Sequence, residues 1–492
     1  MPPSLADRSP SKRHGLLARL PTWLAGSSAD PDASTVAVVG CIYLLLISLA
    51  DIFEPVDQSL LIVASKTLIM LLLLALLPAG QYLGSRWGYP RRWMFVVPAM
   101  LAAFESARSI GSIYLTHAVG SAIIACIALT FAVDFPDRMH GGSTARSVRW
   151  LCITAFLLVC FAHAALKPRA DLAYSSVAAV NALSAGLNPY KVDLDGYGEL
   201  ITGDERFQGY KYSPLLPFFY FPAVKLFGMS GILLSNFIIL IFTALTVSAL
   251  CLRILGGNAM WAAMLLLASP FVGWSVLVFQ VNDLVAVFPI CVAFLVWNTH
   301  PGLAGLLLGA SASIKILPAP IAMALLLPRA LPTARRFVGG IAVGLMPIIV
   351  FAALDPTAFF NNVILFEIVR PPSPSSWLLG MPSTVMWALR IGFVAAFLAT
   401  VVAAEVHNWS IDRRIMAYVA LTCLLLLASN TNYGWYWLWW IPPFISIFCA
   451  KWAVSSTTSE RVGYGIGFPT DKLPPLHQPY RHPRITPRQC HP

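Results

Sequence analysis

Two basic side chains lie in stretches that are otherwise apolar or proline-rich, and each could bind an anion. Arg370 stands in FFNNVILFEIVRPPSPSSW, and a guanidinium can hold a phosphate group through two parallel hydrogen bonds. Lys315 stands in AGLLLGASASIKILPAP, where an unpaired ammonium would be costly, so the sequence predicts a partner or a function there. The structural alternatives are an interfacial arginine whose charged end reaches water and an ion pair between Lys315 and Asp283.

Asp171 lies just before the longest polar stretch of the chain, and its neighbours predict a short helix. Ala173, Val177 and Val180 are spaced as on one face of a helix that begins near Asp171 and ends around Gly186. An amphipathic helix of this kind would lie along a membrane surface. Asp171 could cap the helix or supply a carboxylate for chemistry, and both interpretations stay open.

A second acidic motif is less informative. Asp193 and Asp195 flank one residue in DLDGYG, and paired carboxylates can hold a divalent cation. The same sequence is typical of a tight turn, so we expect no metal there.

The composition indicates which solvent surrounds these residues. Of the 492 residues, 58% are hydrophobic and 11% are charged, and the mean hydropathy is +0.73, whereas soluble domains are about 25% charged. The sequence therefore predicts an all-α polytopic integral membrane protein. Apolar windows that could span a bilayer lie near 36–51, 59–78, 93–106, 117–134, 150–166, 231–252, 258–279, 283–299, 337–353, 381–403, 415–429 and 436–450.

The apolar segment 302–328 is different, because Pro318 and Pro320 follow Lys315 near its middle. We predict a hairpin of two short helices there. With that hairpin, the Lys and Arg clusters fall in every second loop, as is typical of cytoplasmic loops. The prediction is about 12–14 membrane segments, with cytoplasmic termini and two long outer loops at 167–212 and 354–380.

The two ends of the chain differ from this core. Residues 1–34 are basic and residues 451–492 are rich in Pro and Arg, and both are predicted to be disordered on the cytoplasmic side. The net charge of +11 resides mainly in inner loops, where it sets topology and faces anionic lipid. No basic patch interleaved with exposed aromatic residues occurs, which argues against nucleic-acid binding.

Several short motifs follow one another in a particular order. They are Asp171-x-x-Tyr174, Gly186-Leu-Asn188-Pro189-Tyr190, Tyr210-x-Tyr212-x-Pro214, FQVNDLV at 279–285 and AGLLLGASASIKILPAP at 304–320. This order resembles the polyprenol-phosphate-sugar-dependent glycosyltransferases of the GT-C superfamily, and most closely family 87, which contains bacterial mannosyltransferases. The resemblance covers residues 150–450, whereas the four predicted spans within 35–149 match nothing in that family.

The resemblance implies a GT-C-type helical bundle with its active site at the outer face of a bacterial cytoplasmic membrane. A sugar, with a mannose-like hexose favoured, would move from a polyprenyl-phosphate donor to a lipid or glycan acceptor with inversion of configuration. The implied partners are the donor, the acceptor and membrane lipids. No nucleotide sugar, metal or other cofactor is implied.

In such enzymes an aspartate just after a span is the general base for the acceptor hydroxyl, and Asp171 is the matching position. Lys315 and Arg370 are the candidate cations for the donor phosphate. The predicted substrate-binding residues are Tyr174, Asn188, Tyr190, Tyr210, Tyr212, Gln280, Asn282, Asp283 and Tyr433.

The chain departs from the family before its last span, where Asn432-Tyr433 replaces a frequent His-Tyr pair. The aromatic residues that follow are interpreted as an interfacial belt, with sugar stacking as the second interpretation. They are Trp435, Tyr436, Trp437, Trp439 and Trp440.

Two other functions stay open. A multispan transporter or flippase would also place charges such as Lys315 and Asp283 beside proline-broken helices, although no internal repeat is apparent. A non-catalytic partner in glycan assembly would keep the fold without needing the Asp171 carboxylate. The long outer loop that begins with an aspartate favours the transferase.

Overall fold

A computed structural model describes residues 150–447, with gaps at 152, 156, 159, 161–163, 165–170, 195–201, 256–259, 374–375, 377 and 432–433. Every regular element among these residues is helical. The predicted extension at 35–149 and the predicted disordered ends at 1–34 and 451–492 lie outside the described residues.

The helices are numbered here in chain order. They are α1 (Asp171–Ser184), α2 (Leu215–Phe227), α3 (Met229–Leu255), α4 (Met260–Ala268), α5 (Pro270–Gly273), α6 (Asp283–Val296), α7 (Pro301–Ile314), α8 (Ala319–Leu325), α9 (Leu331–Gly344), α10 (Met346–Leu354), α11 (Pro356–Phe359), α12 (Phe366–Val369), α13 (Ser383–Val406) and α14 (Ile411–Leu427). Two π-helical turns cover Trp274–Val278 and Phe360–Leu365, and two 3-10 turns cover Glu205–Phe207 and Gly434–Trp439.

Two of the described helices are long and apolar enough to cross a membrane, namely Met229–Arg253 within α3 and Ser383–Val406, which is α13. The pair α9 and α10 is bent by 45° and would add a third span if it crosses as one. The predicted windows 231–252 and 381–403 fall on the first two. The apolar helices therefore support a helical membrane protein, while the number of 12–14 segments stays a prediction.

The window 258–279 does not form one helix. After α4 ends at Ala268, Pro270 begins the short α5 and a π-helical turn follows. Proline begins helices more readily than it continues them, because it lacks a backbone N–H. π-helical turns often accompany functional sites, and this one leads directly to residues 280–283 at the start of α6.

The predicted break at Lys315 is present. Helix α7 ends at Ile314, Lys315 has an extended backbone with φ −152°, and α8 begins at Ala319 after a cis bond between Leu317 and Pro318. The segment therefore contains the two short helices that its prolines predict.

Helix α7 packs against α9 through glycines that bring the two backbones together, as in small-residue helix contacts in membranes. A Cβ added at Gly305 would lie 2.0 Å from the Phe337 carbonyl oxygen, and one at Gly344 would lie 2.4 Å from the Leu306 oxygen. The hydroxyl of Ser313 also donates to the Gly344 carbonyl at 2.8 Å. This glycine seam fixes the helix whose end carries Lys315.

Candidate active site

Asp283 and Lys315 form an ion pair inside the helical bundle. Lys315 Nζ lies 2.6 Å from Asp283 Oδ1, and the two side chains are 15% and 1% exposed. Asp283 is the first residue of α6, and Lys315 follows the last residue of α7. A hydrogen bond of 2.7 Å from Ser311 Oγ to the Ala286 carbonyl joins the two helices one turn away. This arrangement, called the buried pair below, agrees with the ion-pair alternative for Lys315.

Aromatic residues from the 3-10 turn Gly434–Trp439 pack against the buried pair. The indole N–H of Trp439 donates to Asp283 Oδ1 at 2.5 Å. The Lys315 ammonium lies 4.4 Å from the centre of the Tyr436 ring and 5.3 Å from that of Trp439, and the two rings stack at 4.7 Å. Cation–π contacts of this kind stabilise an ammonium that has left water.

The interfacial-belt interpretation is therefore wrong for most of these aromatic residues. Tyr436, Trp437, Trp439 and Trp440 are all buried, whereas belt residues would lie at the membrane surface. Their rings pack against one another and against protein groups, and the Trp439 N–H has a protein acceptor. Sequence composition does not distinguish this role from that of an interfacial belt.

The segment 280–283, called the polar loop below, has unusual polar groups. Gln280 is 2% exposed, and Asn282 and Asp283 are 0% exposed. Within the described residues, Gln280 Oε1, both polar atoms of the Asn282 side chain and Asp283 Oδ2 have no hydrogen-bond partner. Each such atom costs about 1–3 kcal/mol, so the polar loop is a candidate for binding a group that supplies hydrogen bonds.

The backbone of the polar loop is also strained and held from behind. Gln280 has φ 54°, a left-handed conformation that non-glycine residues rarely adopt. On α3, Asn236 Nδ2 donates to the carbonyls of Val276 and Val281 at 3.2 and 3.3 Å, and Tyr220 OH donates to Asn236 Oδ1 at 2.8 Å. Sequence reasoning missed Asn236, although a buried amide within an apolar span is a signal for such a role.

Arg370 follows the last residue of α12 and is 7% exposed, so it is not the water-reaching interfacial arginine of the structural alternative. Its guanidinium pairs with Glu367 at 3.2 Å and lies 5.2 Å from the centre of the Phe366 ring. Tyr436 lies within electrostatic range of both Arg370 and Asp283. Arg370 therefore belongs to the same part of the bundle as the buried pair.

A second arginine reaches this region from the apolar helix α13. Arg390 Nη2 donates to Asn430 Oδ1 at 2.6 Å, and Asn430 Nδ2 donates to the Arg370 carbonyl at 3.0 Å. The Arg390 guanidinium lies over the Trp387 ring, 5.1 Å from its centre. Sequence analysis missed Arg390, although an arginine inside an apolar window is the kind of residue that marks function.

The tyrosines of segment 167–212, the predicted first outer loop, mostly contact other protein groups. Tyr190 and Tyr210 are 2% and 1% exposed, and burial raises the pKa of both phenols. Tyr190 OH donates to the Tyr212 carbonyl at 2.8 Å, and Tyr210 OH lies 3.4 Å from Ser176 Oγ. The hydroxyls of Tyr190 and Tyr210 therefore both have hydrogen-bond partners within the protein.

Other predicted residues lie elsewhere or outside the described part. Tyr174 on α1 is exposed, and Asn188 Oδ1 accepts a hydrogen bond of 3.0 Å from the Tyr190 N–H. Asp171 is the first residue of α1, so the predicted helix start is confirmed. Tyr433, Asp195 and the side chain of Asp171 lie outside the described residues. Within the described part, no group of three or more His, Cys, Asp or Glu residues could hold a metal ion.

Comparison with known proteins gives one match. No curated protein and no solved structure matches the chain. The sequence model described as Glycosyltransferase family 87 matches residues 212–430, a range that contains the polar loop, Lys315, Arg370 and Arg390. The match covers less than half of the chain, and over this range the chain is similar to the glycosyltransferases of family 87, as the motifs predict.

Proposed function

We propose that the chain transfers a sugar from a polyprenyl-phosphate donor to a lipid or glycan acceptor at the outer face of a bacterial cytoplasmic membrane. The buried pair beside the polar loop carries this proposal. A sugar brings several hydroxyl groups that both donate and accept hydrogen bonds, and these suit the unpartnered atoms of Gln280, Asn282 and Asp283. We favour a mannose-like hexose and an inverting reaction.

The phosphate of the donor would meet the cations of the same region. As the sugar leaves, negative charge remains on the phosphate, and fixed cations in a site that excludes water stabilise that charge strongly. Lys315 and Arg370 are the cations for this role, and Arg390 adds a third. Among the described residues, none of the apolar window of helix α13 is fully buried, so this helix would offer a lipid-facing surface for the polyprenyl chain next to Arg390.

We assign the general base to Asp171, whose carboxylate would accept the proton of the acceptor hydroxyl. The Asp171→Asn change removes the basic group and keeps the size and the capping oxygen. We expect transfer to fall by roughly 10²–10⁴-fold, which is the contribution typical of general-base catalysis. The measurement is transfer of radiolabelled sugar from polyprenyl-phosphate mannose and polyprenyl-phosphate arabinose by membranes with matched protein levels.

Asp193→Asn is the matched control, because Asp193 is exposed in the same outer loop. Full activity of Asp171→Asn would show that this carboxylate only caps α1, and the base would then be sought among Asp193, Asp195 and Glu199. Absence of transfer by the wild type from both donors would favour the transporter and assembly-partner alternatives.

Arg390→Gln tests the phosphate assignment on α13. Because the change removes a charged hydrogen-bond donor from the lipid side of the site, we expect the KM for the polyprenyl-phosphate donor to rise about tenfold. Initial rates at varied donor concentration give the value. Arg329→Gln is the control, since Arg329 forms an exposed pair with Glu405 at 3.0 Å. An unchanged KM in Arg390→Gln would remove Arg390 from the donor site.

A further inference from the structure

An open polar pocket lies between the first and second outer loops. Its volume is about 320 Å³, which is enough for one monosaccharide unit. The lining comes from residues 190–191, 205–209 and 355–362, and it consists mostly of charged and amide side chains. This outer-loop pocket is separate from the polar loop described above.

The cations of the outer-loop pocket are already neutralised. Lys191 Nζ lies 2.7 Å from Asp355 Oδ2, and Arg206 Nη2 lies 2.5 Å from Asp204 Oδ2. Hydrogen bonds from Arg206 also hold the pKa of the Asp204 carboxyl below its usual value. Both cations therefore have acidic partners, as Lys315 and Arg370 also do, and competition by phosphate decides between an anionic and a neutral ligand.

The remaining lining groups suit hydroxyls. Among the described residues, the side chains of Glu205, Thr357 and Asn361 have no hydrogen-bond or ion-pair partner. A carboxylate accepts hydrogen bonds from two adjacent hydroxyls, whereas an amide and a hydroxyl both donate and accept. Together they form a recognition surface for a neutral polyhydroxy ligand.

The pocket is formed before any ligand arrives. Asn362 Nδ2 donates to the Tyr190 and Ala358 carbonyls at 3.2 and 3.0 Å. Lys211 Nζ donates to Asn362 Oδ1 at 3.0 Å and also to the carbonyls of Phe207 and Gly209. A Cβ at Gly209 would lie 2.3 Å from the Tyr190 oxygen, so the two loops meet closely. A rigid site loses less entropy on binding.

One aromatic ring links the turn that carries Glu205 and Arg206 to the candidate phosphate site. Phe366 lies 5.7 Å from the Phe207 ring and 5.5 Å from the Lys211 ammonium, measured from its ring centre. On the same ring, the Arg370 guanidinium lies 5.2 Å from the centre. Phe366 thus connects the turn that lines the pocket with Arg370, the candidate residue for the donor phosphate.

We propose that the outer-loop pocket binds a saccharide unit of the acceptor, with Glu205 and Asn361 as its main hydrogen-bonding residues. The identification of the ligand as the acceptor rests on the proposed function. The binding of a saccharide in this pocket does not depend on it. The donor sugar is the other possible source of the same chemistry, and the test separates the two.

Saturation-transfer NMR on the purified full chain in detergent tests the binding directly. The probes are the methyl glycosides of mannose, glucose, galactose and arabinofuranose, with inorganic phosphate as a competitor. We expect at least one glycoside to bind the wild type, and both Glu205→Gln and Asn361→Leu to weaken that binding roughly ten- to a hundredfold. Asn298→Leu is the matched control, because Asn298 is an exposed asparagine after α6.

A double variant at the buried pair, Asp283→Asn with Lys315→Met, distinguishes the acceptor from the donor sugar. Binding that survives in this variant and disappears in Glu205→Gln supports the outer-loop pocket. Binding that is lost only at the buried pair overturns it, as does displacement of the glycoside by phosphate or the absence of binding by every glycoside. Glu205-dependent binding in a chain that transfers no sugar would support the pocket and contradict the proposed function.

Discussion

Lys315→Met is expected to abolish sugar transfer. The change removes the ammonium that lies 2.6 Å from Asp283 and next to the rings of Tyr436 and Trp439. Loss of one preorganised charge-stabilising group costs roughly 10²–10³-fold in rate. The single variant also leaves a buried carboxylate unpaired, which destabilises by about 3–5 kcal/mol, so activity must be compared at equal amounts of folded protein.

The double variant Asp283→Asn with Lys315→Met separates catalysis from folding. It removes both charges at nearly constant volume, so the amount of protein that elutes as a single species in detergent should recover toward the wild type. Transfer from the lipid-linked donor should stay absent. Recovery of transfer together with folding would show that the buried pair is structural and that the donor phosphate binds elsewhere.

Gly305→Ala is expected to cause the largest loss of stability among single changes outside the buried pair. The added methyl group would lie 2.0 Å from the Phe337 carbonyl oxygen, and a backbone atom cannot move aside as a flexible side chain does. Overpacking of this kind costs about 1–3 kcal/mol or more. Thermal unfolding in detergent, followed by loss of the monodisperse peak, measures the effect.

Gly339→Ala is the matched control on the facing helix. A Cβ there meets nothing within 4 Å, and alanine is a better helix former than glycine by about 1 kcal/mol. We expect this variant to be as stable as the wild type or more so. Equal losses at Gly305 and Gly339 would contradict the close approach of α7 and α9.

The sequence predicted those parts of the fold that depend on local composition. The spans near 231–252 and 381–403, the start of α1 at Asp171 and the break after Ile314 follow from apolar length, residue spacing and proline positions. The window 258–279 is predicted as one span, and the structure interrupts its helix at Ser269; the crossing as one segment stays a prediction. A hydropathy average over that window does not reveal that the helix stops before Ser269, starts again at Pro270 and continues as a π-helical turn.

The candidate site was predictable only in part, because its contacts join distant residues. The sequence raised a Lys315–Asp283 pair as one alternative, and the structure forms it. The indole of Trp439 reaches Asp283 across 156 positions, and no local pattern distinguishes such a tryptophan from one at an interface. Arg390 and Asn236 were missed because the windows around them are apolar enough to be interpreted as ordinary spans.

Helix α13 has a consequence for how this protein can change over evolutionary time. Among the described residues, none of its apolar window is fully buried, so the exposed side chains of this helix are free to face lipid, for which one aliphatic residue is nearly equivalent to another. Substitutions should therefore accumulate along this helix faster than along α6 or α7. Arg390 is the exception, because Asn430 connects it by hydrogen bonds to the backbone of Arg370. A substitution at Arg390 would remove this connection.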